Sequence, residues 1–146
     1  MLLADQLREF RPDAVLAPAS VNTIHDLRDA WRLAVDAAHI AATPSARTDH
    51  DPLPSVPAVF AYEPRWFEGF EPDTYVDVSN TIETKRAAIA QFTTLARWYM
   101  SRSGTDISQA SDTVSAYRGL QAGVDFAEAF ASRPTVGSHA TSRVLP

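Results

Sequence analysis

The strongest constraint on this chain is an alternation between short apolar bursts and longer stretches of helical period. The bursts are 13–17 (DAVLA), 58–62 (AVFAY), 75–78 (YVDV) and 124–130 (VDFAEAF). Each is short enough for a buried strand and too short for an ordinary helix. Around them lie helical patterns. Residues 2–10 place Leu3, Leu7 and Phe10 at helical spacing, and Arg11–Pro12 closes that run. Asp26 is a plausible N-cap for a helix from Leu27 to Ala42, with Leu27, Trp31, Ala34, Val35, Ala38 and Ala41 facing inward. Ser79 or Asn80 opens a long helix to about Ser101, with Asn80 and Glu83 at capping-box spacing and Ile82, Ile89, Phe92, Ala96 and Tyr99 along one side. A last helix spans Ile107–Ala122, and Gly123 fits its C′ position. Strands alternating with helices predict an α/β fold, with a mostly parallel sheet flanked by helices.

A chain of 146 residues predicts one domain, over 1–133, with 134–146 a flexible tail. Its 18 acidic and 13 basic side chains leave a net charge of −5, without the cationic footprint of a nucleic-acid binder. No apolar run approaches the ~20 residues that span a bilayer, and the N-terminus MLLADQLREF has no apolar signal core. The absence of cysteine excludes disulfides, thiolate catalysis and Cys-ligated metal. The expectation is a cytoplasmic protein. Two loops stand out: the proline-rich 43–57, and 63–74, which holds Trp66, Phe67 and Phe70. There is no Gly-x-Gly-x-x-Gly, P-loop or Gly-x-Ser-x-Gly elbow.

Four segments, in order, resemble the C-terminal half of the LmbE/PIG-L family of zinc-dependent N-deacetylases. They are LREFRPDAVLAP, VNTIHDLRDAWRLAVDAA, AVFAYEP with YVDVSNTIETKRAAI, and YRGLQAGVDFAEAF. The last is similar to the family's closing Gly-x-x-x-Gly-x-x-(Tyr/Phe)-Ala-Glu-(Ala/Gly)-Phe. The resemblance implies an apparently incomplete Rossmann-like domain and hydrolysis of N-acetyl groups on amino-sugar conjugates. Some relatives instead hydrate dicarboxylic acids. In the family, zinc polarises the amide carbonyl and lowers the pKa of its bound water toward ~7.

The departures from the family pattern bear on chemistry. The first metal motif, His-Pro-Asp-Asp, has no counterpart; Asp49-His50-Asp51-Pro52 follows no strand. In the second motif His25 falls where the resemblance implies an oxyanion-stabilising histidine, and Asn22 takes the preceding polar position. The expected metal-ligating histidine is Arg28 and the aspartate before it is Leu27. A guanidinium has no lone pair for a metal. No cofactor is therefore expected in this chain as written, although zinc belongs to the family. His25 is the candidate catalytic residue, or else a loop histidine beside Asp26. Asn22, Arg28 and Trp66 are candidate ligand contacts; each has a plainer reading, as turn residue, solvated helix-face residue or core aromatic. His39 reads as structural and His50 as solvated. The expected ligand is a small N-acylated molecule. The expected partner is a second copy or a complementary N-terminal half, with no nucleic acid and no membrane. The alternative function is a non-catalytic ligand- or partner-binding relative.

Overall fold

The structure is a computed structural model that describes residues 1–21, 24–64 and 69–132. The element order is α1 (Leu2–Phe10), β1 (Ala14–Pro18), α2 (His25–Ala41), β2 (Ala58–Tyr62), β3 (Thr74–Asp77), a 3-10 turn (Ser79–Thr81), α3 (Ile82–Ala90), α4 (Thr93–Ser103), α5 (Ile107–Ala122) and β4 (Ala127–Ser132). This is an α/β fold with a four-stranded sheet in the order β1-β2-β4-β3. The sheet is mixed. The β1–α2–β2 unit is parallel, pairing Ala14 with Ala58 through Pro18 with Tyr62. β4 runs antiparallel to β2, with Tyr62 opposite Phe130. Pro18 is tolerated because it ends an edge strand, where a missing N–H costs little. No helix among the described residues is long and apolar enough to cross a membrane.

The chain forms two compact units. The first comprises Met1–Thr74 and the chain from Phe130 on. Its helices α1 and α2 pack through small side chains: Ala4, Ala37, Ala41 and Leu53 form a core cluster, with Leu7, Ile40 and Ala42 against it. Of Leu3, Leu7 and Phe10, which share helical spacing on α1, only Leu7 packs against this cluster. Phe10 is 82% exposed, whereas Ala4 and Arg8 are buried. The physical reason is Arg8. Its Nε donates to Ala41 O at 2.9 Å and Nη2 to Thr43 O at 2.7 Å and Ile40 O at 3.2 Å. Nη1 reaches Thr48 Oγ1 at 2.7 Å, Ala46 O at 3.0 Å and His50 O at 3.1 Å. These bonds pull the Ala4–Arg8 side of α1 onto the end of α2 and fix the proline-rich loop. Asp5 adds to the clamp: its Oδ1 accepts from the backbone N–H of Asp49 and His50 and from His50 Nδ1. His50 is exposed, as its reading as a solvated side chain expects, and is also tethered to α1.

The second unit, Tyr75–Ala129, holds α3, α4 and α5. The single long helix expected from about 79 to 101 is broken at Gln91–Phe92. The break lies where Phe92 meets two β-branched threonines, whose restricted χ1 weakens helix propagation. Of the predicted stripe only Ile82 is buried. The Asn80–Glu83 capping box does not form; instead Asp77 Oδ1 accepts from Ser79 N at 2.9 Å and Ser79 Oγ at 2.6 Å. Helix α5 matches its expected bounds, with Asp106 accepting from Ser108 N at 2.8 Å as N-cap. Gly123 closes it with φ 75°, a left-handed conformation that glycine adopts without strain. Gly119 has a different task. A Cβ there would lie 2.5 Å from Asp125 O, so only glycine lets the chain turn back this tightly into β4.

Candidate functional site

Parallel strands β1 and β2 share a carboxyl edge, where open α/β sheets place their ligand crevices. The chain leaves β1 there and re-enters as α2 at His25. Asp26 is not the N-cap: the helix starts at His25, with Ile24 capping through its carbonyl, which accepts from Leu27 N and Arg28 N at 3.2 and 3.3 Å. Asp26 lies in the first turn, where its charge still complements the helix dipole.

His25 and Arg28, one helical turn apart, are in contact. Arg28 Nη2 lies 2.6 Å from His25 Nδ1 and 3.4 Å from Nε2. A guanidinium can only donate, so a ring that accepts this bond does so at Nδ1 and carries its proton on Nε2. His25 thus presents an N–H to solvent beside a fixed positive charge and a helix N-terminus. That arrangement favours an oxygen carrying negative charge, such as a carboxylate or a polarised carbonyl. Ser20, His25, Arg28, Asp29, Arg32 and Asp36 line an open cleft of about 720 Å³ along α2. Arg32, one turn beyond Arg28, makes no hydrogen bond or ion pair with any described residue.

A zinc ion does not fit this pair. Arg28 has no lone pair, and the Nδ1 lone pair of His25 is taken by Arg28. Among the described residues, no group of three or more His, Asp or Glu side chains is placed to hold a metal. Of the other candidate contacts, Asn22 and Trp66 lie outside the described residues, as do 134–146.

Sequence reasoning missed a second polar cluster, within Tyr75–Ala129. Lys85 Nζ contacts Glu128 Oε1 at 2.7 Å and donates to Ser115 Oγ at 2.9 Å. Its neighbour Arg86 pairs with Asp112 at 2.9 Å and also with Glu83. Ser115 is 1% exposed, and its lysine donates to it as an ammonium, so the trio serves packing rather than nucleophilic chemistry. The available signal was that Lys85 and Glu128 both fall inside the quoted family-like segments.

No family model matches the chain. No curated protein matches it either. Solved structures do. The conserved protein TT1542 from Thermus thermophilus is 31% identical, with TM-score 0.76, over 95% of this chain and 61% of that one. The fold is shared. The 4-carboxy-2-hydroxymuconate hydratase GalB from Pseudomonas putida KT2440 is 24% identical, with TM-score 0.74, over 96% of this chain and 60% of that one. The N,N′-diacetylchitobiose deacetylase from Pyrococcus horikoshii, complexed with its inhibitor MPG, is 23% identical, with TM-score 0.70, over 97% and 53% respectively. This chain therefore spans between 53% and 61% of the length of these structures.

Proposed function

We propose that this chain is an LmbE/PIG-L-related protein whose α2 cleft binds a small molecule through a carboxylate or N-acyl oxygen, without assembling the family's zinc centre from its own side chains. The contact of 2.6 Å between Arg28 Nη2 and His25 Nδ1 carries this reading. It holds His25 as a donor at Nε2, suited to gripping an oxygen and unsuited to accepting a proton there. Arg28 keeps its remaining N–H groups for the same oxygen or its neighbour, and Arg32 supplies a second cation along the cleft. Carboxylates favour such planar, multi-donor cations because the hydrogen bonds are charge-assisted.

A second reading is favoured by the chain spanning only 53–61% of the solved structures it matches. In that reading a further stretch of protein supplies the metal ligands, the assembly hydrolyses N-acetyl groups on amino-sugar conjugates, and His25 steadies the developing oxyanion. The zinc would supply carbonyl polarisation and an activated water; this chain would supply the Nε2 donor.

One experiment tests the binding reading. Long-range 1H–15N spectra of the purified chain should show His25 as the Nε2–H tautomer. Titration with N-acetylglucosamine and, separately, with malonate should shift its signals, and Arg28→Ala should weaken that response by about tenfold, the value of one good charge-assisted contact. The exposed Arg47→Ala should leave it unchanged. A ring protonated on Nδ1, or saturating ligand with no response at His25, would overturn the binding reading. Release of acetate by this chain alone with added zinc would overturn the claim that it lacks its own metal centre.

A further inference from the structure

Trp31 lies on the wall of the α2 cleft and is only 4% exposed. Its indole Nε1–H donates to no described residue. An indole can donate but cannot accept, and a buried one nearly always finds an acceptor. Leaving that donor dry costs free energy that a phenylalanine would not, so the residue type itself calls for an oxygen inside the cleft.

Placement on α2 indicates which oxygen. Trp31 is three positions beyond Arg28, about 4.5 Å along the axis, and helical side chains lean toward the N-terminus. Trp31 therefore stands beside the His25–Arg28 pair on the same cleft. Val35, one turn further, is half-buried and adds apolar surface to the wall. His25 and Arg28 favour a charged oxygen, whereas a neutral indole beside apolar surface favours an uncharged one, such as a carbonyl. The rest of the lining limits the ligand's charge. Arg28 and Arg32 are matched by Asp29 and Asp36, so with a neutral His25 the wall sums to zero. A second carboxylate reaching past Arg32 would meet Asp36, whose charge no described residue pairs. We infer that Trp31 contacts the ligand of this cleft, and that its Nε1–H selects monocarboxylates carrying an uncharged carbonyl oxygen a few bonds away, of which N-acylated amino acids are the simplest class. The inference rests on the proposed α2 cleft and names the ligand class it takes.

N-acetylglycine and pentanoate test it, because their chains match in length and end in the same carboxylate, while only the first has the carbonyl. Two-dimensional 1H–15N spectra of the full chain follow each titration, with the Trp31 indole signal assigned by triple-resonance correlations. Both acids should shift His25. Only N-acetylglycine should move the Trp31 indole N–H downfield, and it should bind about fivefold more tightly than pentanoate, the value of one neutral hydrogen bond. Trp31→Phe keeps an aromatic ring in place and should erase that preference while leaving pentanoate affinity unchanged. The parent's indole signal reads the contact directly, so the result stands even if Trp31→Phe folds poorly. An indole signal that answers to both acids or to neither, while His25 responds, would overturn the inference and leave the cleft standing. So would a preference that survives Trp31→Phe. A His25 silent to both acids would overturn the cleft reading itself, and this inference with it.

Discussion

At the two ends of α2, arginines do opposite work. At the C-terminal end Arg8, sent from α1, is 3% exposed and spends its N–H groups on backbone carbonyls and one hydroxyl. At the N-terminal end Arg28 is half-buried on a cleft wall, and among the described residues its guanidinium is bonded only to a histidine that itself faces solvent. The helix dipole welcomes the first cation and opposes the second. A guanidinium at a helix C-terminus satisfies orphan carbonyls and lowers the energy of the fold. One at a helix N-terminus contributes little to folding; its natural use is to meet an anion. The difference lies in partners, not in residue type.

The sharpest way to break this comparison is to remove Arg8. Arg8→Met removes a charged donor from the carbonyls of Ile40, Ala41, Thr43, Ala46 and His50 in a partly water-free site, and Ala46 O loses the one donor shown for it among the described residues. The expected loss is about 3–5 kcal/mol, the scale of removing one member of a buried charge-assisted network. Urea denaturation measures it directly. Arg8→Lys should recover only part, because one ammonium with three donors cannot span carbonyls that a five-donor fork reaches. Equal stability of Arg8→Met and the parent would show that the clamp contributes nothing, and the contrast with Arg28 would collapse.

Next in size is Gly119→Ala. Its Cβ would meet Asp125 O at 2.5 Å and Val124 O at 2.7 Å, both backbone atoms that cannot swing aside. A loss of about 1–3 kcal/mol is expected, as for other overpacked sites. Thermal melts should separate it from Met100→Ala on bare α4, which should stay within ~0.5 kcal/mol. The pair extends the contrast between held and open regions to the Tyr75–Ala129 unit.

Legibility in the sequence follows the same divide. Local signals sufficed where local physics decides: β2 and α5 have the bounds that apolar run, Asp106 and Gly123 imply. Gly119 and Gly123 stood out through resemblance to Gly-x-x-x-Gly, and the structure gives each its own steric reason. Long-range choices were not legible. Nothing near Arg8 distinguishes it from a solvated helix charge, since its acceptors lie 32 to 42 positions away. The same holds for Phe10, which reads as core by period yet faces water because the Arg8 side won the interface. His25 and Arg28, by contrast, are one turn apart, so their contact was within reach of helical spacing. The tautomer it imposes required the geometry.

A smaller effect comes from pH. The hydroxyl and backbone N–H of Ser79 hold the Asp77 carboxyl below the usual carboxylate range, against slight desolvation. A depressed folded-state pKa stabilises fully above the unfolded value of about 3.9 and is lost as pH falls through the folded one. Asp77→Asn should therefore melt lower than the parent at neutral pH, and the gap should close below about pH 3.9. Asp5 and Asp73, also held low, titrate in both proteins, so the difference curve isolates Asp77. A gap that persists unchanged into acid would assign the loss to the amide's geometry rather than to charge.

The smallest expected effect on stability is also the one that decides the function of α2. Arg28→Ala removes no buried bond, so its unfolding free energy should differ from the parent by less than ~0.5 kcal/mol. Yet without the donor at 2.6 Å no described residue holds the proton of His25 on Nε2, and the ring should become a mixture of tautomers. A residue that alters its neighbour's chemistry without altering the fold is positioned for a ligand. If Arg28→Ala instead destabilised the chain as Arg8→Met does, both ends of α2 would be structural, and the cleft would lose its claim to be a site.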